Sequence, residues 1–162
     1  MFDPEKTKTT IDRDGLTLWF RRRLPVSRVR VFDAWTHPEH LRHWWDPTGT
    51  PLARCNVDLR PGGAFELVPD GDAHGPPFTG VYKQIDPPSL LVFEAMGAVG
   101  TVRLESSGEA TEMTVSIACP SREHLEQFLK VGVEVGTAQT LDNLARHVSV
   151  EAGAASVVRD RS

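Results

Sequence analysis

The sequence predicts an α+β domain built as one strand, two short helices, six further strands and a long helix, in that order. Three observations carry this. Apolar residues alternate with period two from Leu16 to Leu24, a strand pattern. Six short strand-like stretches then follow between residues 55 and 118, with no room for crossover helices, so the sheet should be an antiparallel meander. Finally, a helical pattern runs from Ser121 to His147. Helices packed on one face of a strongly curved sheet of this kind would enclose a space.

The first strand places Leu16, Leu18, Phe20 and Leu24 on one face and Thr17, Trp19, Arg21 and Arg23 on the other, with Arg22 on the apolar side. Ser27 is positioned to cap a helix through VRVFDAW, residues 29–35. Thr36 is expected to cap a second short helix, where Pro38 is tolerated near the start and Leu41, Trp44 and Trp45 follow at i, i+3 and i+4. Asp46-Pro47 ends it. The meander is read from CNVDL (55–59), GAFELV (63–68), FTGVYKQI (78–85), LLVFEA (90–95), GTVRLES (100–106) and EMTVSIA (112–118). Turn-rich segments such as RPGG, DPPS and SSGE separate them. Pro120 and Ser121 open the last helix, which at about 1.5 Å per residue would run roughly 40 Å and cross a small sheet.

At 162 residues the chain fits one domain. We place that domain at residues 11–148, with a flexible polar N-terminus over residues 1–10 and a flexible tail over residues 149–162. With 18 Lys+Arg against 22 Asp+Glu the net charge is −4, and no basic tract exists to neutralise phosphates, so nucleic acid is not an expected partner. The two cysteines, Cys55 and Cys119, form no CxxC pair and sit in apolar segments, which suits a reducing cytoplasm. No secretory h-region and no run near 18 apolar residues is present, so no membrane span is expected.

Several blocks carry a resemblance: VFDAWTHPEHLRHWWDP, VDLRPGGAFEL, FTGVYKQIDPPSLLVFEA and VGVEVGTAQTLDNLARHV, in this order from about Leu16 to Val148. Together they resemble the Activator of Hsp90 ATPase homologue 1-like family, within the START/Bet v 1-like helix-grip superfamily. The resemblance implies a β-α-α-β6-α helix-grip fold, a curved sheet wrapped around the C-terminal helix with an internal cavity. It also implies a choice of functions, because helix-grip domains include ligand carriers, hormone receptors, polyketide cyclases and co-chaperone modules. One departure is Thr137, which stands after the second glycine of the last helix where relatives often carry an aromatic.

Gly132, Gly136 and Thr140 fall on one face of the last helix, and each glycine costs about 1 kcal/mol relative to alanine in a helix interior. Two readings follow: the bare face lets the helix lie close to the sheet, or it leaves volume for a ligand between Phe128, Leu129 and Leu144. Opposite it, alternation turns Phe65, Leu67, Phe93, Val102, Leu104, Met113 and Val115 toward the helix, as core or as cavity wall. Tyr82, Trp44 and Trp45 complete the expected lining. Arg22 needs a partner if buried, either Glu66, Glu94 or another nearby carboxylate, or the acidic group of a ligand.

Other chemistry finds less support. His37, His40 and His43 diverge around a helix and cannot readily converge on one ion, so no metal is expected. There is no GxSxG elbow, RPGG lacks the lysine and helix of a phosphate loop, and GDAHG (71–75) reads as a turn. No catalytic residue and no cofactor is assigned. The adjacent Trp44 and Trp45 are expected to split between two environments, Trp44 packing inward and Trp45 nearer the pocket entrance.

The function expected is non-catalytic binding of a small apolar or amphipathic ligand. One alternative is a co-chaperone module that contacts a chaperone ATPase in stress response. Another is an enzyme of the cyclase or dehydratase type, and a homodimer is compatible with each of these readings.

Overall fold

A computed structural model describes residues 6–71 and 76–161, with side chains as far as Val150. The alternating and turn-separated stretches form eight strands: β1 (Lys8–Asp12), β2 (Thr17–Leu24), β3 (Arg54–Val57), β4 (Ala64–Val68), β5 (Phe78–Asp86), β6 (Leu90–Ala95), β7 (Ala98–Ser107) and β8 (Ala110–Ala118). Helices α1 (Arg28–Thr36) and α2 (Pro38–Trp44) follow β2, and α3 (Arg122–Lys130) and α4 (Val133–Arg161) follow β8. One antiparallel sheet results, in the order β1-β2-β8-β7-β6-β5-β4-β3. Strands β3 to β8 are the expected meander, and β2 closes onto β8 from Thr17↔Ala118 to Leu24↔Thr111. The α+β helix-grip arrangement holds.

Three expectations are corrected. The stretch 1–10 was expected to lie outside the domain, yet Lys8–Asp12 pairs with β2, Lys8 opposite Arg21 and Asp12 opposite Thr17. The β-branched Thr9, Thr10 and Ile11 favour extended backbone, and an edge strand tolerates their polar surroundings. The long helix from Ser121 is two helices, because Gly132 takes φ +80°, a left-handed conformation that ends α3 and lets α4 start afresh. Helix α4 then continues to Arg161, into the segment expected to be a tail.

The caps are partly as expected. Ser121 caps α3 by accepting from the backbone N–H of His124 at 3.1 Å. Ser27 occupies the N-cap of α1 without a side-chain bond. His37, not Thr36, is the N-cap of α2, with Pro38 at the start of the helix; the Thr36 hydroxyl instead donates back to the Phe32 carbonyl at 2.9 Å.

The core is continuous across the inner sheet face. Leu18, Phe20 and Leu24 of β2 are fully buried with Leu104 and Met113, while Leu125, Leu141 and Leu144 approach from the helices. No helix among the described residues is long and apolar enough to cross a membrane.

Candidate ligand cavity

The inner face does not fill uniformly, and residue volume decides where. Along β7, period two places Ala98, Gly100, Val102 and Leu104 on one face, and all are buried. Where the small pair lies, a cavity of about 260 Å³ opens; Val102 and Leu104 are solid core. The same division runs along β8, where Ile117 and Val115 border the cavity and Met113 is solid core.

Walls come from every layer. Phe78, Phe93 and Ala95 belong to the sheet, Met96 to the turn after β6, Trp35 to α1, and Trp45 and Pro47 to the chain after α2. Phe128 of α3 and Val133, Gly136, Thr137, Thr140 and Leu141 of α4 complete it. Among the described residues, no Asp, Glu, His, Lys, Arg or Cys side chain stands in this lining.

Gly100 sets the floor, and Gly80 plays the same part under Phe65, outside the lining. Phe93 pairs in register with Gly100, and a Cβ on Gly100 would lie 2.5 Å from the Phe93 ring. Phe65 pairs with Gly80 in the same way, at 2.4 Å. The rings therefore lie over bare backbone. Phe65 and Phe93 then meet edge to face with centroids 5.7 Å apart.

The adjacent tryptophans occupy different surroundings. Trp44 is fully buried, its indole N–H donates to the Ala34 carbonyl at 3.0 Å, and its ring meets Trp35 edge to face at 4.9 Å. Trp45 is half-buried, borders the cavity and lies against Phe78 at 4.9 Å. Helix α4 holds this turn through its polar residues: the Thr140 hydroxyl donates to the Trp45 carbonyl at 3.1 Å, and the Asn143 amide donates to the Asp46 carbonyl at 3.0 Å. These bonds satisfy carbonyls that a helix end leaves without partners.

Of the expected lining residues, the structure brings Trp45, Phe93, Val115, Phe128, Gly136 and Thr140 together around the cavity. Phe65, Leu67 and Tyr82 instead border a recess of about 20 Å³ behind Phe93, room for about one water at most. Trp44, Val102, Leu104 and Met113 are core, Leu129 packs at its margin, and Gly132 sits at the helix break with open space where its Cβ would be. Arg22 is 7 % exposed and pairs with Asp142 of α4 at 3.2 Å, so the nearby carboxylate is neither Glu66 nor Glu94. Sequence reasoning missed Trp35, Phe78 and Thr137 as lining and Asn143 as a clamp. Trp35 and Thr137 stand inside the family-like blocks, and Phe78 opens a strand whose alternation pointed inward.

Burial acts on three groups outside this lining. It pushes the Cys55 thiol up to about 11. It also raises the Tyr82 hydroxyl, to which Cys55 adds a smaller electrostatic contribution, and the Cys119 thiol. All three are therefore neutral at physiological pH.

Three histidines gather away from the cavity, while His124 lies against its wall, with Nε2 2.8 Å from the Met96 carbonyl and its ring on Phe128. His40 Nδ1 and His147 Nε2 share a hydrogen bond at 2.9 Å, and His43 stacks on His147 at 5.9 Å. Among the described residues no group of three or more His, Cys, Asp or Glu side chains is arranged to hold a metal ion. Residues 72–75 of GDAHG lie outside the described residues.

Comparison with known proteins agrees with this architecture. The family model for Activator of Hsp90 ATPase homolog 1-like protein matches residues 25–149. A crystal structure of a Nitrosomonas europaea protein is similar with TM-score 0.78 at 22 % identity, covering 86 % of this chain and 97 % of that one. A solution structure from Arthrobacter aurescens gives 0.78 at 20 % identity, over 88 % and 91 %. A crystal structure from Mycobacterium smegmatis gives 0.77 at 20 % identity, over 90 % and 99 %. Among curated proteins, none matches the chain.

Proposed function

Because the chain belongs to the Activator of Hsp90 ATPase homolog 1-like family, we propose that it binds a small apolar molecule, without covalent chemistry, in the cavity between α4 and the sheet. The observation that carries this reading is the space of about 260 Å³ with apolar walls between α4 and the sheet, open to solvent on one side, which close packing of the helix on the sheet would have filled. Binding draws on burial of apolar surface, at roughly 25 cal/mol per Å² removed from water. Thr137 is the threonine of the lining with an uncommitted hydroxyl to orient the ligand, since the Thr140 hydroxyl donates to the Trp45 carbonyl, and the indole N–H of Trp35 is a further donor in the wall.

The test uses prodan, an uncharged fluorophore whose emission shifts to the blue in apolar surroundings, on the wild-type protein and on Gly136→Leu. Gly136 borders the cavity, and the nearest atom to an added Cβ is Pro47 Cγ at 4.0 Å, so a leucine can enter the space without a backbone clash. The wild type is expected to bind with a blue shift, and the variant at least about tenfold more weakly. Equal binding by both proteins, or none by either, overturns the reading. Native mass spectrometry of protein purified from its own host then identifies what the cavity carries.

Two further readings rest on the family. A cyclase or dehydratase needs at least two ionisable groups converging in the cavity, and the described residues of this lining supply neither an acid nor a base. A chaperone-contacting module would act through the outer surface, and stimulation of a partner ATPase in a direct assay is its test.

A further inference from the structure

We propose that the cavity selects uncharged ligands carrying one oxygen acceptor or hydroxyl, and that Thr137 is the residue that reads this oxygen. The inference rests on the binding reading above and narrows the ligand class.

Charge decides first. An ion entering this space would leave water and meet no opposite charge in the lining, which holds no ionisable side chain among the described residues. The buried cation closest in kind to what a carboxylate would need, Arg22, is outside the lining and already paired with Asp142. Two carboxylates next in sequence to wall residues weigh against anions, and His124, whose Nε2 hydrogen-bonds with the Met96 carbonyl at 2.8 Å and whose ring lies against Phe128, adjoins the wall without entering the lining. Glu134 follows the lining residue Val133, and its Oε2 is buried without a hydrogen bond among the described residues. Buried Asp46 precedes the lining residue Pro47 and uses Oδ1 to accept from the Thr48 N–H and hydroxyl, both at 2.9 Å. A cation would still lose its hydration without a carboxylate in contact.

Polarity decides second. Thr140 is committed, its hydroxyl proton going to the Trp45 carbonyl at 3.1 Å. Thr137, one turn earlier on the same face of α4, borders the cavity, and its hydroxyl makes no hydrogen bond among the described residues. Its hydroxyl is therefore free to donate to a carbonyl or accept from an alcohol. Shape follows from the walls: Trp35, Trp45, Phe78, Phe93 and Phe128 offer ring faces and edges, which suit a flat molecule. The volume lies just under the usual range for drug-sized ligands and fits about two or three fused rings.

The experiment compares four naphthalenes of one skeleton, the parent hydrocarbon, methyl naphthyl ketone, naphthoate and naphthylmethylammonium, by calorimetry at neutral pH on wild type, Thr137→Val and Gly136→Leu. The ketone should bind wild type at least about a hundredfold more tightly than either ion. Thr137→Val keeps the shape and removes the hydroxyl, so ketone affinity should fall about three- to tenfold while the hydrocarbon is unchanged. Naphthoate or the ammonium binding as tightly as the ketone overturns the charge selection, and a ketone affinity untouched by Thr137→Val overturns the role of Thr137. In both of those cases the Gly136→Leu variant still weakens binding, which leaves the cavity reading standing. Binding insensitive to Gly136→Leu, or no binding by any compound, overturns both.

Discussion

Arg22 of β2 and Asp142 of α4 meet at 3.2 Å, and Asp142 also accepts from the Thr7 N–H at 2.8 Å and the Thr7 hydroxyl at 2.7 Å. One carboxylate thus ties the approach to β1, the strand β2 and the last helix. Removing it strands a buried guanidinium whose Nε already has no hydrogen-bond partner among the described residues. Asp142→Ala is expected to lower the unfolding free energy by about 3 kcal/mol, toward the low end for a broken buried pair because Asp142 keeps some exposure. Arg22→Met with Asp142→Leu should recover most of that in urea denaturation. Exchange protection of the Thr7 amide should stay lost in both variants.

Gly132 and Gly136 are four residues apart and should respond oppositely to alanine. Gly132 holds φ +80° with open space around it, so Gly132→Ala is penalised by backbone conformation alone, about 1–2 kcal/mol. Gly136 is helical and unobstructed, so Gly136→Ala should add up to about 1 kcal/mol. Thermal unfolding of the two single variants gives the signs directly.

Gly100→Ala tests the cavity floor. Its Cβ would stand 2.5 Å from Phe93 Cζ, so the ring must lift from the sheet. We expect a loss of about 1–3 kcal/mol and weaker prodan binding. Adding Phe93→Leu, which takes the ring away, should return stability toward wild type.

The alkaline limb of stability carries a signature of Cys55. Burial raises its thiol to about 11, above the value of an unfolded thiol, so between about pH 9 and 11 the unfolded chain loses a proton that the folded chain keeps. Stability from this group is complete below that window and falls as pH rises through it. Tyr82, raised in the same direction, extends the decline to higher pH. Urea midpoints measured from pH 8 upward should fall less steeply for Cys55→Ala than for wild type.

These positions also show what a sequence can disclose. Turn residues between short alternating runs were enough for the meander, since they forbid parallel crossovers. The break at Gly132 was legible too: Lys130 in the last turn followed by a glycine is a helix-stop signal, but the four-residue spacing to Gly136 reads equally well as one helical face. Only a backbone dihedral separates the two. Period two identified the inward face of β7, and the step from Ala98 and Gly100 to Val102 and Leu104 held the information on where that face is hollow. The partner of Arg22 had no local signal, because Asp142 lies 120 residues away and meets it only through the packing of α4 on β2.

The strand order has a consequence in time as well as in space. Strands β3 to β8 each pair with the next in sequence, so their hairpins close short loops; the β2–β8 seam joins Leu24 to Thr111 and Thr17 to Ala118 across the whole meander. The entropy of closing a loop grows with its length, which places that seam late in folding. During synthesis β2 emerges long before β8, presenting the apolar row of Leu18, Phe20 and Leu24 on a strand whose β8-facing edge is still unpaired. Arg22 in the middle of that row gives the waiting strand a charge on its sticky face, a guard against premature self-association until β8 and Asp142 arrive.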